Sequence, residues 1–366
     1  MWKKNPSLNT LHEIFDASTD PFDNVHLFGG FVQVVVLAGG FGTRLSPWTQ
    51  HIAKPMLPML DKTLMERVVE NVPHHLVDEV VIAAGYKVKE LEEYFRHQDL
   101  DFDVRIVEED GPLGTGGALG NCRDILSGTF ACFNGDIVSS LDAGQLLDLH
   151  EKKSATATLG LWTVEDPTRF GIVGLDDDQF ITQFKEKPKP EEVFSNYINA
   201  GSYIMTDDIF DYMPIGKHSL ERDVFPRLAE ERKLCGLPFD GYFIDAGTPE
   251  SWIDAVDACI AYQRYSTGRV QASTWYENEV VEGEIIGGMV GLNCSIEQGA
   301  TIKNSTLLQG VTVERSTTLS ACLVGKNAHI GEGSNLQNVV IDFNANVPKN
   351  TVQTGGTFPN RTEEGQ

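Results

Sequence analysis

The chain has 366 residues, 41% of them apolar and 22% charged, a globular balance that excludes wholesale disorder and provides for one large domain and a smaller one. Fifty-three acidic side chains against 29 basic ones leave a formal charge of -24, so a nucleic-acid partner is excluded: a polyanion is repelled over most of such a surface. Small anionic ligands are still admitted where cations, backbone amides or a metal reverse the field inside one cleft.

Residues 1–31 read as an extension of weak character, with one amphipathic fragment (Leu11, Ile14, Phe15) suited to a short docking helix. Lys3 and Lys4 are followed by the polar run NPSLNTLHEIFDASTD, which lacks the apolar core of a signal peptide, and no later run is long enough to span a membrane. The expectation is a cytoplasmic protein with no membrane partner. The six cysteines are scattered with no C-x-x-C pair, so they read as reduced thiols, neither a zinc site nor a disulfide framework.

From Val32 short β-branched runs alternate with helical ones: VQVVVLAG, DKTLMERVVENV, EVVIAAGY, KVKELEEYFR, DVRIVEE, GGALGNCRDIL and TFACFNGD. Apolar runs buried on both faces and separated by amphipathic helices predict an α/β fold with a mainly parallel sheet and helices on both sides. Asp61 is the expected N-cap of the first full helix, whose apolar face is Leu64, Met65, Val68, Val69 and Val72. After about residue 154 strands dominate (ATATLGLWTV, FGIVGLD, ITQFKEKP, INAGSYIMT, GYFIDAGT), interrupted by the helical ERDVFPRLAEERK and closed by PESWIDAVDACIAYQRY near residue 265. This predicts a mixed extension of the same sheet.

The last third repeats itself. Val290, Ile296, Ile302 and Leu308 recur every six residues; after a five-residue step to Val313 come Leu319, Val324, Ile330, Leu336, Ile341 and Val347. Aliphatic residues spaced by Gly, Asn, Ser and Thr cannot bury an apolar face alone, so the coils must stack into a solenoid. The expected organisation is an extension over 1–31, an α/β domain over 32–265, a linker and repeat domain over 266–352 and a polar tail over 353–366.

The stretch LAGGFGTRLSPWTQHIAKP, Leu37 to Pro55, ends the first strand with glycines that let backbone N–H groups approach phosphate oxygens, and with Arg44, whose planar fork suits the same oxygens. It matches neither G-x-x-x-x-G-K-[ST] nor G-x-G-x-x-G, since Leu45 stands where the last glycine belongs. Asp136 and Asp245 each end an apolar run and are placed to meet over the C-terminal edge of the sheet, where two carboxylates plus substrate phosphates suit magnesium. Either aspartate alone would be an ordinary turn residue.

AGG-x-GTRL followed by KP resembles the signature of the sugar-1-phosphate nucleotidyltransferases. So, in order, do PLGTGGAL (Pro112 to Leu119), FNGD ending at Asp136, RFGIV, FKEKP, NAGSY, LERDVFP and FIDAGTPESW. Taken with the hexapeptide tail, the resemblance covers roughly residues 32–352 and implies a Rossmann-like catalytic domain followed by a left-handed parallel β-helix. It implies that Leu37, Ala38, Gly39, Gly40, Gly42, Thr43 and Gly114 contact the nucleotide and that Arg44 and Lys54 bind the triphosphate and steady the departing pyrophosphate. It further implies that Lys187 holds the sugar phosphate, that Glu186, Asn199 and the Gly171 backbone read sugar hydroxyls, and that Asp136 and Asp245 bind Mg2+. Lys187 lies in the run KEKPKPEE, whose ordinary fate is solvation. Glu221 and Asp223 read equally as supporting groups or as plain helix N-terminal acids.

Glu109 falls where thymidylyl- and uridylyl-type members commonly carry a glutamine; a carboxylate only accepts hydrogen bonds, which suits the paired N–H donors of guanine. The competing reading leaves it in solvent at a strand end. The expected substrates are a nucleoside triphosphate, GTP favoured, and a hexose 1-phosphate, mannose favoured; glucose-1-phosphate uridylyl or thymidylyl transfer and a non-catalytic regulatory subunit stay open. An acyltransferase role for the repeats is disfavoured, since their only histidine is His329. Stacked coils favour a homo-oligomer instead. The segment SPWTQHIA between Arg44 and Lys54 reads as a flap over the triphosphate.

Overall fold

The computed structural model describes residues 32–98, 100, 102–277 and 282–359; the docking helix expected at Leu11 to Phe15 lies outside them. Among the described residues the main sheet has nine strands: β1 (Val32–Leu37), β2 (Val77–Ala84), β3 (Asp103–Glu108), β4 (Thr129–Asn134), β5 (Ala157–Thr163), β6 (Gly171–Leu175), β7 (Ile181–Glu186), β8 (Tyr197–Thr206) and β9 (Leu234–Pro238). Their order is β7-β6-β8-β4-β1-β2-β3, with β5 beside both β8 and β9. β4, β1, β2 and β3 run parallel, whereas β8 is antiparallel to β4, β5 and β6. This is the mixed extension of a parallel sheet that the alternation of runs predicts.

Val34, Val35 and Val36 of β1 are fully buried, as a central parallel strand covered on both faces requires. The C-terminal ends of β1, β2, β3 and β4 share one edge. There Gly135 donates to the Leu37 carbonyl (3.0 Å), Ala38 to that of Ala83 (2.8 Å) and Glu109 to that of Ala84 (3.0 Å). The same edge therefore receives the glycine loop, Glu109 and Asp136.

Asp61 does not cap the first full helix. That helix is Leu64–Val69, and Thr63 caps it in a reciprocal capping box with Glu66. Asp61 accepts instead from the Ser266 and Thr267 amides (2.6 and 2.9 Å) and pairs with the fully buried Arg67. It fastens the segment leaving the catalytic domain, a long-range task that local spacing does not reveal.

The repeat region is a stack of parallel strands in which each residue sits beside the one seventeen positions on: Thr301 beside Thr318, Thr318 beside Asn335 and Asn335 beside Val352, and likewise Thr312 beside His329 and His329 beside Asn346. Three steps per coil therefore run six, six and five. Leu307, not Leu308, takes the interior place between Val290 and Val324; the short step recurs in every coil and shifts the ladder by one residue. Stacking also continues past residue 352, since Thr357 and Phe358 pair with Val340 and Ile341, so the polar tail begins later than residue 353.

Leu308 turns outward instead. With Met289, Leu323 and Val340 it joins one apolar cluster with Trp48, Trp252, Val256 and Ile260 of the catalytic fold, so the coils and the catalytic fold share a core. A half-buried acid bridges the same seam: the Gly288 amide donates to the Asp257 carboxylate at 3.3 Å. Burial, aided by Asp254, pushes Asp257 up from 3.8 to about 6. A raised acid favours folding while protonated; its contribution is complete below the unfolded value and is lost as pH rises through the folded one. Asp257→Asn is therefore expected to match wild type in Tm near about pH 4 and to exceed it near about pH 8; a difference that does not change with pH would contradict this.

Candidate active site

The glycine loop leaves β1 with Gly42 in the left-handed region (φ 63°), followed by the turn Thr43–Leu45. A Cβ at Gly42 would lie 2.8 Å from the Thr49 methyl and 3.3 Å from Lys54 carbons, whereas one at Gly40 would meet nothing within 4 Å. Gly40 thus presents open backbone, and Gly42 lets Lys54 fold back against the loop. Thr49 secures this turn, its hydroxyl donating to the Gly42 carbonyl (3.0 Å).

Lys54 reaches Asp136 at 2.7 Å, and Arg44 stands 4.0 Å from Asp245. The two aspartates, distant in sequence, meet because strand Phe243–Asp245 pairs antiparallel with Ile137–Ser139 and the Ala246 amide donates to the Asp136 carbonyl (2.9 Å). Burial raises the Asp245 pKa, and Asp136 raises it further, against the pull of Lys54, Arg44 and the Gly247 amide. One Asp245 oxygen, Oδ1, is buried with no hydrogen-bond partner. A carboxylate oxygen left so beside a second acid fits a cation. Among the described residues no group of three or more His, Cys, Asp or Glu could hold a metal, so two carboxylates are what the chain offers.

Gly247, which the sequence reading passed over, is required by this geometry. A Cβ there would lie 2.5 Å from Arg44 Nη2 and 2.7 Å from Asp245 Oδ1.

A second group of expected residues gathers on β6, β7 and β8. Gly171 and Glu186 are register partners, and a Cβ at Gly171 would lie 2.9 Å from Glu186 Oε2. Lys187 has φ 46°, its amide donates to the Phe170 carbonyl (2.9 Å) and its ammonium stands exposed 3.7 Å from Glu186. Asn199 donates to the Tyr203 hydroxyl and accepts from the Gly201 amide (3.0 Å each) across a register shift in β8. The structure therefore brings Gly171, Glu186 and Lys187 together, with Asn199 already holding internal partners.

Glu109 is not a solvated strand end. It is 5% exposed; Oε2 accepts weakly from the Leu113 amide (3.4 Å) and Oε1 is buried without a partner. A Cβ at Gly39 would lie 2.6 Å from that Oε1, so Gly39 is the residue that admits the carboxylate against the loop. Burial raises the Glu109 pKa.

Gly114 has φ 75°, and the helix Gly114–Gly120 lies so close to the segment 216–218 that a Cβ at Gly114 would be 2.6 Å from the His218 carbonyl. That carbonyl accepts from the Gly116 and Gly117 amides (3.1 and 3.2 Å), so these helix N-terminal donors are spent internally. Glu221 accepts from Thr115 and from Ser219 (2.6 Å each) and adds to the raised pKa of Glu186, whose first cause is burial. One acid thus links the glycine helix to the β7 carboxylate. It stands in a π-helical turn, Leu220–Val224, a feature that recurs at functional sites.

The profile of the family described as Nucleotidyl transferase matches residues 33–261, more than half of the chain. This chain belongs to that nucleotidyl transferase family. A second profile, the GlmU-like C-terminal hexapeptide, matches residues 271–356. A probable mannose-1-phosphate guanylyltransferase 2 of Oryza sativa is 28% identical over 329 residues, which cover 85% of this chain and 90% of that protein. A UTP–glucose-1-phosphate uridylyltransferase of Synechocystis is 31% identical, covering 75% and 82%. The crystal structure of HddC from Yersinia pseudotuberculosis complexed with GMP-PN superposes with a TM-score of 0.51 at 28% identity, covering 62% of this chain and 99% of that one. The nucleotidyltransferase described here is thus an enzyme of the sugar-1-phosphate type with a hexapeptide-repeat domain, and no helix among its described residues is long and apolar enough to cross a membrane.

In this nucleotidyltransferase, Gly247→Ala should push the guanidinium off Asp245 with an unchanged Tm. A kcat lower by about a hundredfold, the cost of misplacing a catalytic group by a bond length, is the outcome expected if Arg44 acts on the reacting phosphates; steady-state rates beside a melting curve check this, and unchanged kcat would count against that role.

Proposed function

We propose that the enzyme joins GTP to a hexose 1-phosphate, mannose 1-phosphate first, giving a nucleoside diphosphate sugar and pyrophosphate. The observation that carries the reading of the base is the buried, unpartnered Oε1 of Glu109 beside Gly39. Guanine offers two adjacent N–H donors to such an acceptor, whereas uracil and thymine flank a single N–H with carbonyls that a carboxylate repels. Relatives named guanylyltransferases, among them one 37% identical from Mycobacterium tuberculosis, agree with this choice. The relative named a uridylyltransferase keeps glucose-1-phosphate uridylyl transfer as the second reading.

The chemistry is an in-line displacement at the α-phosphorus. A sugar-phosphate oxygen forms the new P–O bond as the bond to pyrophosphate breaks, and the attacking phosphate, already ionised, needs no general base. Arg44 and Lys54 offset the charge that grows on the leaving pyrophosphate, and Lys187 orients the incoming phosphate while Glu186 and the Gly171 backbone hold sugar hydroxyls. Asp136 and Asp245 fit a divalent ion, Mg2+ in this reading, which when bound would neutralise phosphate charge between the two substrates. The pairing of Lys54 with Asp136 holds that carboxylate in place.

Pyrophosphate release with Mg2+, crossing the common nucleoside triphosphates with mannose-, glucose-, galactose- and N-acetylglucosamine-1-phosphate, tests the reading. The expected maximum is GTP with mannose 1-phosphate. Binding of nucleotide sugar without release from any pair would favour a regulatory subunit. Glu109→Gln should cut kcat/KM for GTP by about a hundredfold and narrow the gap to UTP. Asp136→Asn and Asp245→Asn should each abolish turnover, and full activity in either would strike that residue from the metal site.

A further inference from the structure

The segment expected as a flap is held through its middle. Within Trp48–His51, Trp48 is fully buried, its indole N–H donates to the Ile341 carbonyl (3.0 Å), and its ring meets those of Trp252 and Phe343 edge-on. His51 stands 2.7 Å from the Asp342 carboxylate and stacks on Phe343 with ring centroids 4.9 Å apart. Ile341, Asp342 and Phe343 belong to a coil of the repeat domain. Between these two anchors lies Thr49, the residue that holds the Gly42 carbonyl, and Lys54 follows three residues after His51. From the other side the Lys87 ammonium donates to the His51 carbonyl (2.9 Å).

We propose that the coil carrying Ile341, Asp342 and Phe343 positions the triphosphate loop, with His51, Asp342 and Phe343 as positioning residues for Arg44 and Lys54. Gly42 has no side chain with which to fix its own conformation and Arg44 is half exposed, so the turn depends on Thr49, whose hydroxyl holds the Gly42 carbonyl. A short helix of four residues has too few hydrogen bonds to be stable by itself. It is given a fixed place by burial of Trp48 between Trp252 and the coil's Phe343, by the Ile341 carbonyl, and by the partly buried pair of His51 with the coil's Asp342. A rigid support of this kind lowers the ordering cost that β- and γ-phosphate binding would otherwise carry.

The inference rests on the reading of Arg44 and Lys54 as triphosphate ligands, so the test includes Arg44→Ala. Equilibrium binding of Mg·GTP and of GMP is measured on the full chain as wild type, Asp342→Ala, Phe343→Leu, Asp342→Asn and Glu314→Ala. Asp342→Ala and Phe343→Leu should weaken Mg·GTP by about tenfold while leaving GMP within about twofold, because only the former engages the loop cations. KM for GTP should rise in parallel and KM for the sugar phosphate should not. Asp342→Asn, which keeps an acceptor for His51, should recover most of the affinity. Glu314→Ala breaks a similar histidine pair with His329 (3.1 Å) remote from Trp48, and should change neither ligand. Equal loss of GTP and GMP, or no loss in Asp342→Ala while Arg44→Ala loses GTP, overturns the positioning role and leaves the loop reading intact. Unchanged GTP affinity in Arg44→Ala overturns both.

Discussion

Three residues of antiparallel pairing, Phe243–Asp245 against Ile137–Ser139, bring a second carboxylate to the edge where β4 ends. Everything else at the candidate centre is arranged around the electrostatic cost of that meeting. Two acids side by side repel each other, and the half-buried Asp245 resists ionisation. In a chain with a formal charge of -24 the remedy is local: Lys54 is folded onto one acid and Arg44 is brought near the other. The two cations of the glycine loop and the two aspartates are therefore one electrostatic unit. The loop's two cations are matched by carboxylates that enter the chain about eighty and two hundred residues later.

Close approach is the second constraint. Gly39, Gly116 and Gly247 are each a place where a Cβ would lie under 3.0 Å from a polar side chain, respectively Glu109, His218 and a pair formed by Arg44 and Asp245. Charged and polar groups are thus packed against backbone rather than against other side chains. Backbone moves little, so these groups are held with few degrees of freedom, as sites that act by charge placement need.

What the sequence made legible follows from how local its causes are. The parallel strands were readable because burial on both faces writes itself as an unbroken apolar run, as in Val34 to Val36. The coils were readable because stacking repeats one requirement many times, although the five-residue step hid whether Leu307 or Leu308 faced inward. Asp61 was misread because its partners, Arg67 apart, are backbone amides more than two hundred residues away. His218 and Gly247 carried no local signal, since each matters only through a contact with a distant segment. The membership of Glu109, Gly171, Glu186 and Lys187 in compact groups rests on strand order, which the resemblance implied and spacing alone did not contain.

The seventeen-residue coil also sets a length scale. Stacked strands lie about 4.8 Å apart, so adding or removing one whole coil preserves the handed register of the stack while carrying every later residue up or down by that distance. Asp342 and Phe343 lie several coils from the point where the solenoid leaves the catalytic fold. The count of coils between is therefore a ruler, and a gene that gained or lost one repeat would keep a well-folded solenoid yet present a different rung to Trp48. Repeat number therefore decides which side chains meet the tryptophan beside the glycine loop.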